Sequence, residues 1–357
     1  MLKRKSLILL LLFIDLIILM LGFLNLSVYP EKAGLPVEYQ ARINDFSFDV
    51  NNIYKKEQVI EFDGKRTDRN GLVDFYLLSH KRNDTVNIKS IVQARIVERT
   101  VVLPAKYADY ELLIMAVVTL FFFFTGIFFL IKYRRSTFSY IIHALSISTG
   151  IMIILDWGDL ITYNRILNFI FFLLFETSIY VVPTLFLHLS FTYPVKTKQK
   201  HLFLLAPFYC ASLTFIIISY IHLSKIFFFG KDISELNYLT FHTTVADIFL
   251  AFVITLTIAK FEHAALTISD VIYKKQIYWA LLGITFGPLI YVFLCLIPRM
   301  LMGHELVSLV FMQFTTIVAP VMLIISVTRN KTGYLPELPE TGAENIVHLT
   351  TNVRPHN

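Results

Sequence analysis

The sequence predicts an all-α polytopic membrane bundle of about eight transmembrane helices, with a small extracytoplasmic β-rich module. Three observations support this fold class. Hydrophobic residues make up 56% of the 357 residues and charged residues only 16%, whereas soluble domains are about 45–50% apolar and about 25% charged. Apolar runs long enough to cross a bilayer recur along the chain. A single long polar stretch, residues 29–108, interrupts them near the N-terminus.

A membrane-spanning helix needs about 20 consecutive apolar residues, since lipid cannot satisfy the backbone polar groups of a loop. Eight stretches meet this requirement: 6–28, 109–131, 137–157, 166–192, 202–223, 239–259, 277–298 and 305–327. The first has an apolar run longer than the about 7–15 residues of a signal peptide and lacks a cleavage site, so we interpret it as an uncleaved anchor. The chain then divides into an anchor (1–28), an external module (29–108), a seven-helix bundle (109–327) and a tail (328–357).

The distribution of basic residues predicts the orientation, because loops rich in Lys and Arg stay in the cytoplasm. With the N-terminus inside, the cytoplasmic segments hold Lys3, Arg4, Lys5, Lys132, Arg134, Arg135, Lys196, Lys198, Lys200, Lys260, Lys274, Lys275, Arg329 and Lys331. The short external loops hold only Arg165, Lys225, Lys231 and Arg299. We therefore expect a multi-pass protein of the cytoplasmic membrane with both termini inside. The net charge of +6 is explained by topology and gives no support to nucleic-acid binding.

The external module is predicted to be rich in β-structure. β-branched or alternating runs occur at 58–63, 85–92 and 99–103, Asp63-Gly64 and Asn70-Gly71 are turn signals, and 72–78 has the pattern of a short helix. This order of strand, turn, helix, turn and two strands resembles the second half of a PDZ domain. Pro36 lies where a carboxylate-binding loop would need a backbone N–H, so we expect a spacer or docking module more than a peptide-binding one.

Two stretches of the bundle carry a wider resemblance. The first is Phe186-Leu-His-Leu-Ser-Phe-Thr-Tyr-Pro194, which includes His188 and Pro194. The second is Tyr273-Lys-Lys-Gln-Ile-Tyr-Trp-Ala-Leu-Leu-Gly283, which includes Gln276, Trp279 and Gly283. Together they resemble the membrane-sensing region of bacterial sensor histidine kinases of the ComP type and related regulators. The resemblance covers about residues 1–330 and implies a first span, an external PDZ-like module and about seven further spans.

Catalytic motifs are missing from the sequence. It contains no P-loop, no G-x-G-x-x-G and no G-x-S-x-G, and tail 328–357 has no room for a phospho-acceptor helix pair or an ATP-binding domain. The two cysteines, Cys210 and Cys295, lie in apolar runs and form neither a disulfide framework nor a metal-binding pair. We expect no enzymatic activity, no cofactor and no metal.

Polar residues within or beside the spans are the candidates for ligand or signal sensing, because a buried charge in lipid costs about 2.5–3.5 kcal/mol. They are Asp156, Trp157, Asp159 and Arg165 in the short loop after the third span, and Glu176 within the fourth. The loop residues are equally typical of ordinary interface anchoring. For Glu176, the alternative to sensing is an interhelical hydrogen bond. Asp15 must find a partner on another span, while Asp247, His143 and His188 are interpreted as packing or hydrogen-bonding residues.

These observations favour a multi-pass membrane sensor or signalling accessory protein. It would pass an external or membrane signal to a separate cytoplasmic kinase, phosphatase or cyclase through loops 196–201 and 260–276 and the tail. The expected partners are the lipid bilayer, an extracellular ligand and this cytoplasmic protein, with homodimerisation left open. The alternative is a small-solute transporter or permease-like protein, which would place paired ions and discontinuous helices around a midplane site.

Overall fold

The computed structural model describes residues 2–34, 58–66, 77, 80–92, 95–133, 136–155, 165–194, 202–229, 233–298, 306–307 and 309–329. Within this part of the chain, seven helical segments are long and apolar enough to cross a membrane. The molecule is therefore a helical, multi-pass membrane bundle, as the sequence predicts.

The helices follow the predicted spans closely. Their bounds are α1 Leu2–Leu26, α2 Asp109–Lys132, α3 Thr137–Ile154, α4 Arg165–Thr192, α5 Ala206–Phe229, α6 Ile233–Thr267 and α7 Val271–Ile284. Helix α6 is longer than the predicted 239–259 at both ends, and α5 starts and ends later than the predicted 202–223. Asp270 explains the start of α7, because its carboxylate accepts hydrogen bonds from the backbone N–H groups of Ile272 and Tyr273 at 2.7 and 3.2 Å.

The last two predicted spans are interrupted. After α7 the chain continues through two π-helical segments, Thr285–Leu289 and Val292–Leu296. Pro288 lies inside the first and has no backbone N–H to donate to the helical ladder, which accounts for a local change of hydrogen bonding. The eighth predicted span is two shorter helices, α8 Leu309–Thr316 and α9 Val318–Arg329. Pro320 lies in the first turn of α9, a position in a helix that tolerates proline.

Helices α3 and α4 are the most buried of the long helices, while α1 and α5 expose broad apolar faces. Glycines permit close approach where α2 meets α3. An added Cβ at Gly150 would lie 2.8 Å from the Phe123 ring, and one at Gly126 would lie 3.2 Å from the Ser146 side chain. Small residues at such contacts allow membrane helices to gain packing energy, because lipid supplies no hydrophobic drive for association.

One end of the bundle is marked by basic residues, and we call it the basic end. It carries Lys132 of α2, Lys260 of α6 and Lys274 and Lys275 of α7. Several contacts join the helix ends there. The Phe138 ring at the start of α3 stacks on Tyr193, just beyond the end of α4, at a centroid distance of 4.8 Å. Lys260 lies over the Phe191 ring, also at the end of α4, at 5.1 Å.

The module between α1 and α2, which the sequence predicts to be external, contains a four-stranded antiparallel sheet in the order β2-β1-β3-β4. Its strands are β1 Gln58–Phe62, β2 Lys65–Arg66, β3 Thr85–Val92 and β4 Arg95–Val102. The predicted runs at 58–63 and 85–92 are confirmed as strands, and the run at 99–103 belongs to a strand that begins earlier. Asp63 and Gly64 both have positive φ angles, 50° and 76°, as the two-residue hairpin turn between β1 and β2 requires. The predicted turn at 70–71 lies outside the described residues, as does the predicted helix at 72–78 apart from Leu77.

Tyr29 anchors the module to the bundle. Its hydroxyl accepts a hydrogen bond from Asn25 Nδ2 at 2.7 Å and lies 3.4 Å from the carbonyl oxygen of Ile154, at the end of α3. Its ring stacks on Tyr107, just before α2, at a centroid distance of 5.2 Å. The exit from α1 and the entry into α2 are thus fixed against each other.

Gly283 provides a test of the close contact between α7 and α9. An added Cβ there would lie 3.0 Å from Ala319 Cα and 3.1 Å from its carbonyl oxygen, and backbone atoms cannot rotate away. We expect Gly283→Val to lower the free energy of unfolding by about 1–3 kcal/mol, the usual cost of overpacking. The measurement is reversible unfolding in mixed micelles. The neighbouring variant Leu282→Val is the control, since Leu282 is 38% exposed, and an equal loss in both variants would contradict this account.

Candidate functional site

A cavity of about 130 Å³ lies in the centre of the bundle, among α2, α3, α4, α6, α7, α8 and α9. Its wall is mostly apolar, with Phe122, Val182 and Leu250 among the lining residues. The first π-helical segment contributes Pro288, so the irregular part of the seventh span faces the cavity. Irregular backbone at membrane depth is tolerated where it is buried in protein or lines a cavity, and π-segments are frequent at functional sites.

The polar lining residues are Ser146, Thr149, Asp247, Tyr291, Gln313 and Thr316. Asp247 is only 4% exposed and lies near the start of the apolar part of α6, Thr244–Thr267. Gln313 is 8% exposed, and its buried Oε1 has no hydrogen-bond partner within the described part of the chain. A buried amide oxygen without a partner costs about 1–3 kcal/mol. This cost makes Gln313 the lining residue that most needs a function to explain it.

Glu176 lies beside the cavity, at the contact between α4 and α5. Its Oε2 accepts a hydrogen bond of 3.0 Å from Ser219 Oγ, which also lies 3.4 Å from the Tyr180 hydroxyl. Glu176 thus makes the interhelical hydrogen bond that was the alternative to a sensing role, and the sensing role itself stays a prediction. Both Glu176 and Asp247 act electrostatically on Tyr180, so two buried acidic groups lie in the same region of the bundle.

Further hydrogen bonds continue this contact along α4 and α5. They join Thr177 to Tyr220, Thr184 to Ser212 and His188 to Tyr209. His188, from the first family-like stretch, therefore has a partner at 2.7 Å from its Nδ1 and packs edge-on against the same Tyr209 ring. Because α5 exposes much of its apolar surface, these hydroxyl contacts hold an otherwise peripheral helix to the core.

Asp15 and His143 form a second buried polar pair. Asp15 Oδ2 lies 3.6 Å from His143 Nε2, and the two side chains are about equally buried. Asp15 thus has the partner on another span that the sequence demands. The pair joins α1 to α3 and fixes how the first helix is rotated and positioned along its neighbour.

The two family-like stretches meet at the basic end through α9. The Tyr193 hydroxyl hydrogen-bonds Ser326 Oγ, and Ser326 Oγ lies 3.0 Å from the backbone carbonyl oxygen of Gln276. We call this chain of three residues the Tyr193 clasp. Pro194 follows it directly and is buried, Gln276 is buried within it, and Trp279 is half-buried on α7. Gly283 lies farther along the same helix, where α9 packs closely.

The predicted external rim lies almost entirely outside the described residues. Asp156, Trp157 and Asp159 lie outside the described residues, and Arg165 is described only as the first residue of α4. The proposed contact loop 196–201 also lies outside them. Among the residues that are described, no group of three His, Cys, Asp or Glu side chains is arranged to hold a metal ion.

Gln313 is a functional candidate that the sequence patterns above do not single out, and they do not place Asp247 at a cavity. Gln313 had a detectable signal, since an amide stands in an otherwise apolar stretch, Leu309–Phe314. Pro288 and Pro320 stand in apolar stretches as residues that interrupt helices, and both line the cavity. Nothing in the sequence, however, shows that these positions on three different spans converge.

No family model, curated protein or solved structure matches this chain. The resemblance to ComP-type sensors therefore stays a prediction, and the geometry of the cavity and of its polar neighbours is the basis for assigning a function.

A double-mutant cycle tests the Asp15–His143 pair. We expect Asp15→Leu and His143→Leu each to destabilise the protein by about 1–3 kcal/mol, because each leaves a buried polar partner behind. The loss of unfolding free energy in the double variant should be about 0.5–2 kcal/mol smaller than the sum of the two single losses. This difference is the range of polar coupling between membrane helices. The measurement is unfolding in bicelles. Asp15→Leu combined with Ser219→Ala is the control and should be additive, and additivity in the Asp15–His143 cycle itself would contradict the pairing.

Proposed function

We propose that this chain is a multi-pass membrane sensor or signalling accessory protein of the kind found as the input half of ComP-type sensor kinases. Its stimulus is a small molecule bound in the central cavity, and its output is a change at the basic end that a separate cytoplasmic partner detects. The observation that carries this proposal is the short distance along the helices between the cavity and the Tyr193 clasp.

Three cavity-lining residues lie about one helical turn from the clasp. Leu189 precedes Tyr193 by four residues, Ala280 follows Gln276 by four, and Leu323 precedes Ser326 by three. A ligand that changes the spacing of α4, α7 and α9 at the cavity would therefore act on the hydrogen bonds that hold the same helices together at the basic end. The switch requires that the ligand bind one packing arrangement more tightly than another.

The orientation follows from the basic residues. Cytoplasmic loops are enriched in Lys and Arg, so we assign the basic end, with Lys132, Lys260 and Lys275, to the cytoplasm and the β-sheet module to the outside. We infer that the module is a PDZ-like spacer or docking unit. Its antiparallel β1-β3-β4 arrangement and its Asp63-Gly64 hairpin turn support this assignment.

Transport is the second candidate. The break between α8 and α9 and the π-segments after α7 give two discontinuous spans around the cavity, and Asp247 supplies a charge there. Discontinuous helices around a midplane ion are typical of secondary transporters. The two functions differ in what a bound molecule does, because a sensor holds it and changes shape, whereas a transporter releases it on the other side.

Spin labels at the basic end test the sensor proposal. The labels are placed at Lys132→Cys and Lys275→Cys in a chain carrying Cys210→Ser and Cys295→Ala, reconstituted in nanodiscs. The added probes are toluene, benzyl alcohol and benzylamine. We expect at least one probe to shift the distance distribution between the labels, and we expect Tyr193→Phe to reduce the shift while leaving probe binding unchanged. Double electron–electron resonance gives the distances.

Two further variants control this experiment. Tyr278→Phe removes a hydroxyl from a side chain of α7 that is 53% exposed, and it should leave the shift intact. Ala280→Phe fills the cavity and should abolish both binding and shift. Probe binding without any distance change would overturn the sensor proposal, and saturable flux of the bound probe into proteoliposomes, lost in Asp247→Asn, would establish transport in its place.

A further inference from the structure

We propose that the central cavity binds a small neutral molecule that carries a hydroxyl group on an apolar body about the size of one six-membered ring. The side-chain amide of Gln313 recognises the hydroxyl. This inference rests on the proposed function for the importance of the cavity, and it adds the chemical class of the ligand. Three features support it, namely an amide oxygen that lacks a donor, the apolar character of the wall, and the volume of the cavity.

Gln313 is the lining residue with an unmet hydrogen-bonding requirement. It lies on α8, and its side chain is buried at the cavity wall. Within the described part of the chain several buried side-chain atoms have no hydrogen-bond partner, and Gln313 Oε1 is the one that belongs to a cavity-lining residue. Others, such as Asn25 Oδ1 and Thr119 Oγ1, belong to residues away from the cavity. The cost of burying an oxygen without a donor therefore falls at the cavity.

Two hydroxyls of the lining have already used their protons. The Thr316 hydroxyl donates to the backbone carbonyl oxygen of Gln313 at 2.6 Å, and the Thr149 hydroxyl donates to that of Leu145 at 2.8 Å. A hydroxyl carries a single proton, so both of these oxygens can only accept a further hydrogen bond. A molecule in the cavity would supply the donor that Gln313 Oε1 lacks.

A neutral hydroxyl fits this lining better than a charged group does. It donates one hydrogen bond and accepts others, so it can bond to either end of the Gln313 amide. An ammonium group brings three donors and a carboxylate only acceptors, and in a mostly apolar wall either ion would lose more hydration than one amide replaces. Asp247 shares the lining and acts electrostatically on Tyr180, and the ligand class follows from Gln313 without it.

The volume and the wall determine the rest of the ligand. An apolar protein cavity of about 150 Å³ holds one benzene molecule, and the cavity here has a volume of about 130 Å³. The rings of Phe122, Phe175 and Phe186 line it, and aromatic rings pack favourably edge-on or offset against one another. A single water bonded to Gln313 would leave these rings without contacts, whereas a phenol-sized molecule meets both the amide and the rings.

Phenol and toluene form the test, because they differ only by a hydroxyl in place of a methyl group. Binding of each to the full chain in nanodiscs is titrated by saturation-transfer NMR, with empty nanodiscs as the blank for partition into lipid. The decisive quantity is the ratio of the toluene Kd to the phenol Kd. We expect this ratio to fall about tenfold in Gln313→Met, since the free ligands are solvated equally in both experiments and only the hydrogen bond is lost.

Two further variants support the comparison. Met312→Leu is the matched control, because Met312 is the preceding residue on α8, is 2% exposed and does not line the cavity. It should leave the ratio unchanged. Gln313→Asn is the second variant if Gln313→Met fails to fold. It keeps an amide but shortens the side chain by one methylene, and it should lower the ratio at least about threefold.

Each outcome decides the inference. An unchanged ratio in Gln313→Met would overturn the hydroxyl assignment and leave the cavity as a site for an apolar ligand of the proposed sensor. Tighter binding of benzylamine than of its neutral isostere benzyl alcohol would overturn the neutral class. The expected fall in the ratio, without movement of the basic end when phenol is added, would support the assignment and overturn the sensor. Absence of both phenol and toluene binding in the unmodified chain would overturn both proposals.

Discussion

Helices within a bilayer cannot gain from hiding apolar surface, because the lipid around them is as apolar as their own side chains. The arrangement of this bundle therefore depends on where polar side chains find partners on other helices. Asp15 with His143 positions α1 on α3, and Ser219 with Glu176 positions α5 on α4. Tyr193, Ser326 and Gln276 join α4, α9 and α7 at the basic end. Each of these contacts fixes the rotation of a helix about its own axis and its position along the neighbouring helix, because a shift by one residue would break the contact.

The need of buried polar side chains for partners also explains why the centre of the bundle is the candidate functional site. Where polar groups are paired, they serve the architecture. At the cavity one buried polar atom is left over, since Gln313 Oε1 lacks a hydrogen-bond partner among the described residues. Packing alone gives no return for burying this amide oxygen beside an open volume. A ligand that donates a hydrogen bond to it would remove the cost, and this is the physical reason for connecting the cavity with a stimulus.

The sequence predicts what depends on composition along a single segment. Runs of apolar residues identified the spans, and the alternation at 85–92 together with the Asp63-Gly64 turn identified the sheet. The need of Asp15 for a partner was also predictable, because an acidic residue surrounded by apolar side chains in lipid has few alternatives. His143 was not predictable as that partner, since its choice depends on which face of α3 meets α1. Asp247 and Gln313 are more difficult still, because only the packing of the whole bundle brings α6 and α8 to the same cavity.

The irregular helical segments lie between the cavity and the regular parts of α7 and α9 that lead to the Tyr193 clasp. A continuous seventh span and a continuous eighth span would pack against each other along their whole length. The contact of Gly283, near the end of α7, with Ala319, near the start of α9, shows how closely regular segments approach. Pro288 in the first π-helical segment and the break between α8 and α9 interrupt that regular packing beside the cavity. Toward the basic end, α7 and α9 are regular and joined to α4 by the Tyr193 clasp, whereas around the cavity the chain is π-helical or broken. An interrupted helix has hydrogen-bonding groups that can rearrange at lower cost than those of a regular one, so in the proposed sensor α7 and α9 would carry a change at the cavity to the clasp as rigid segments.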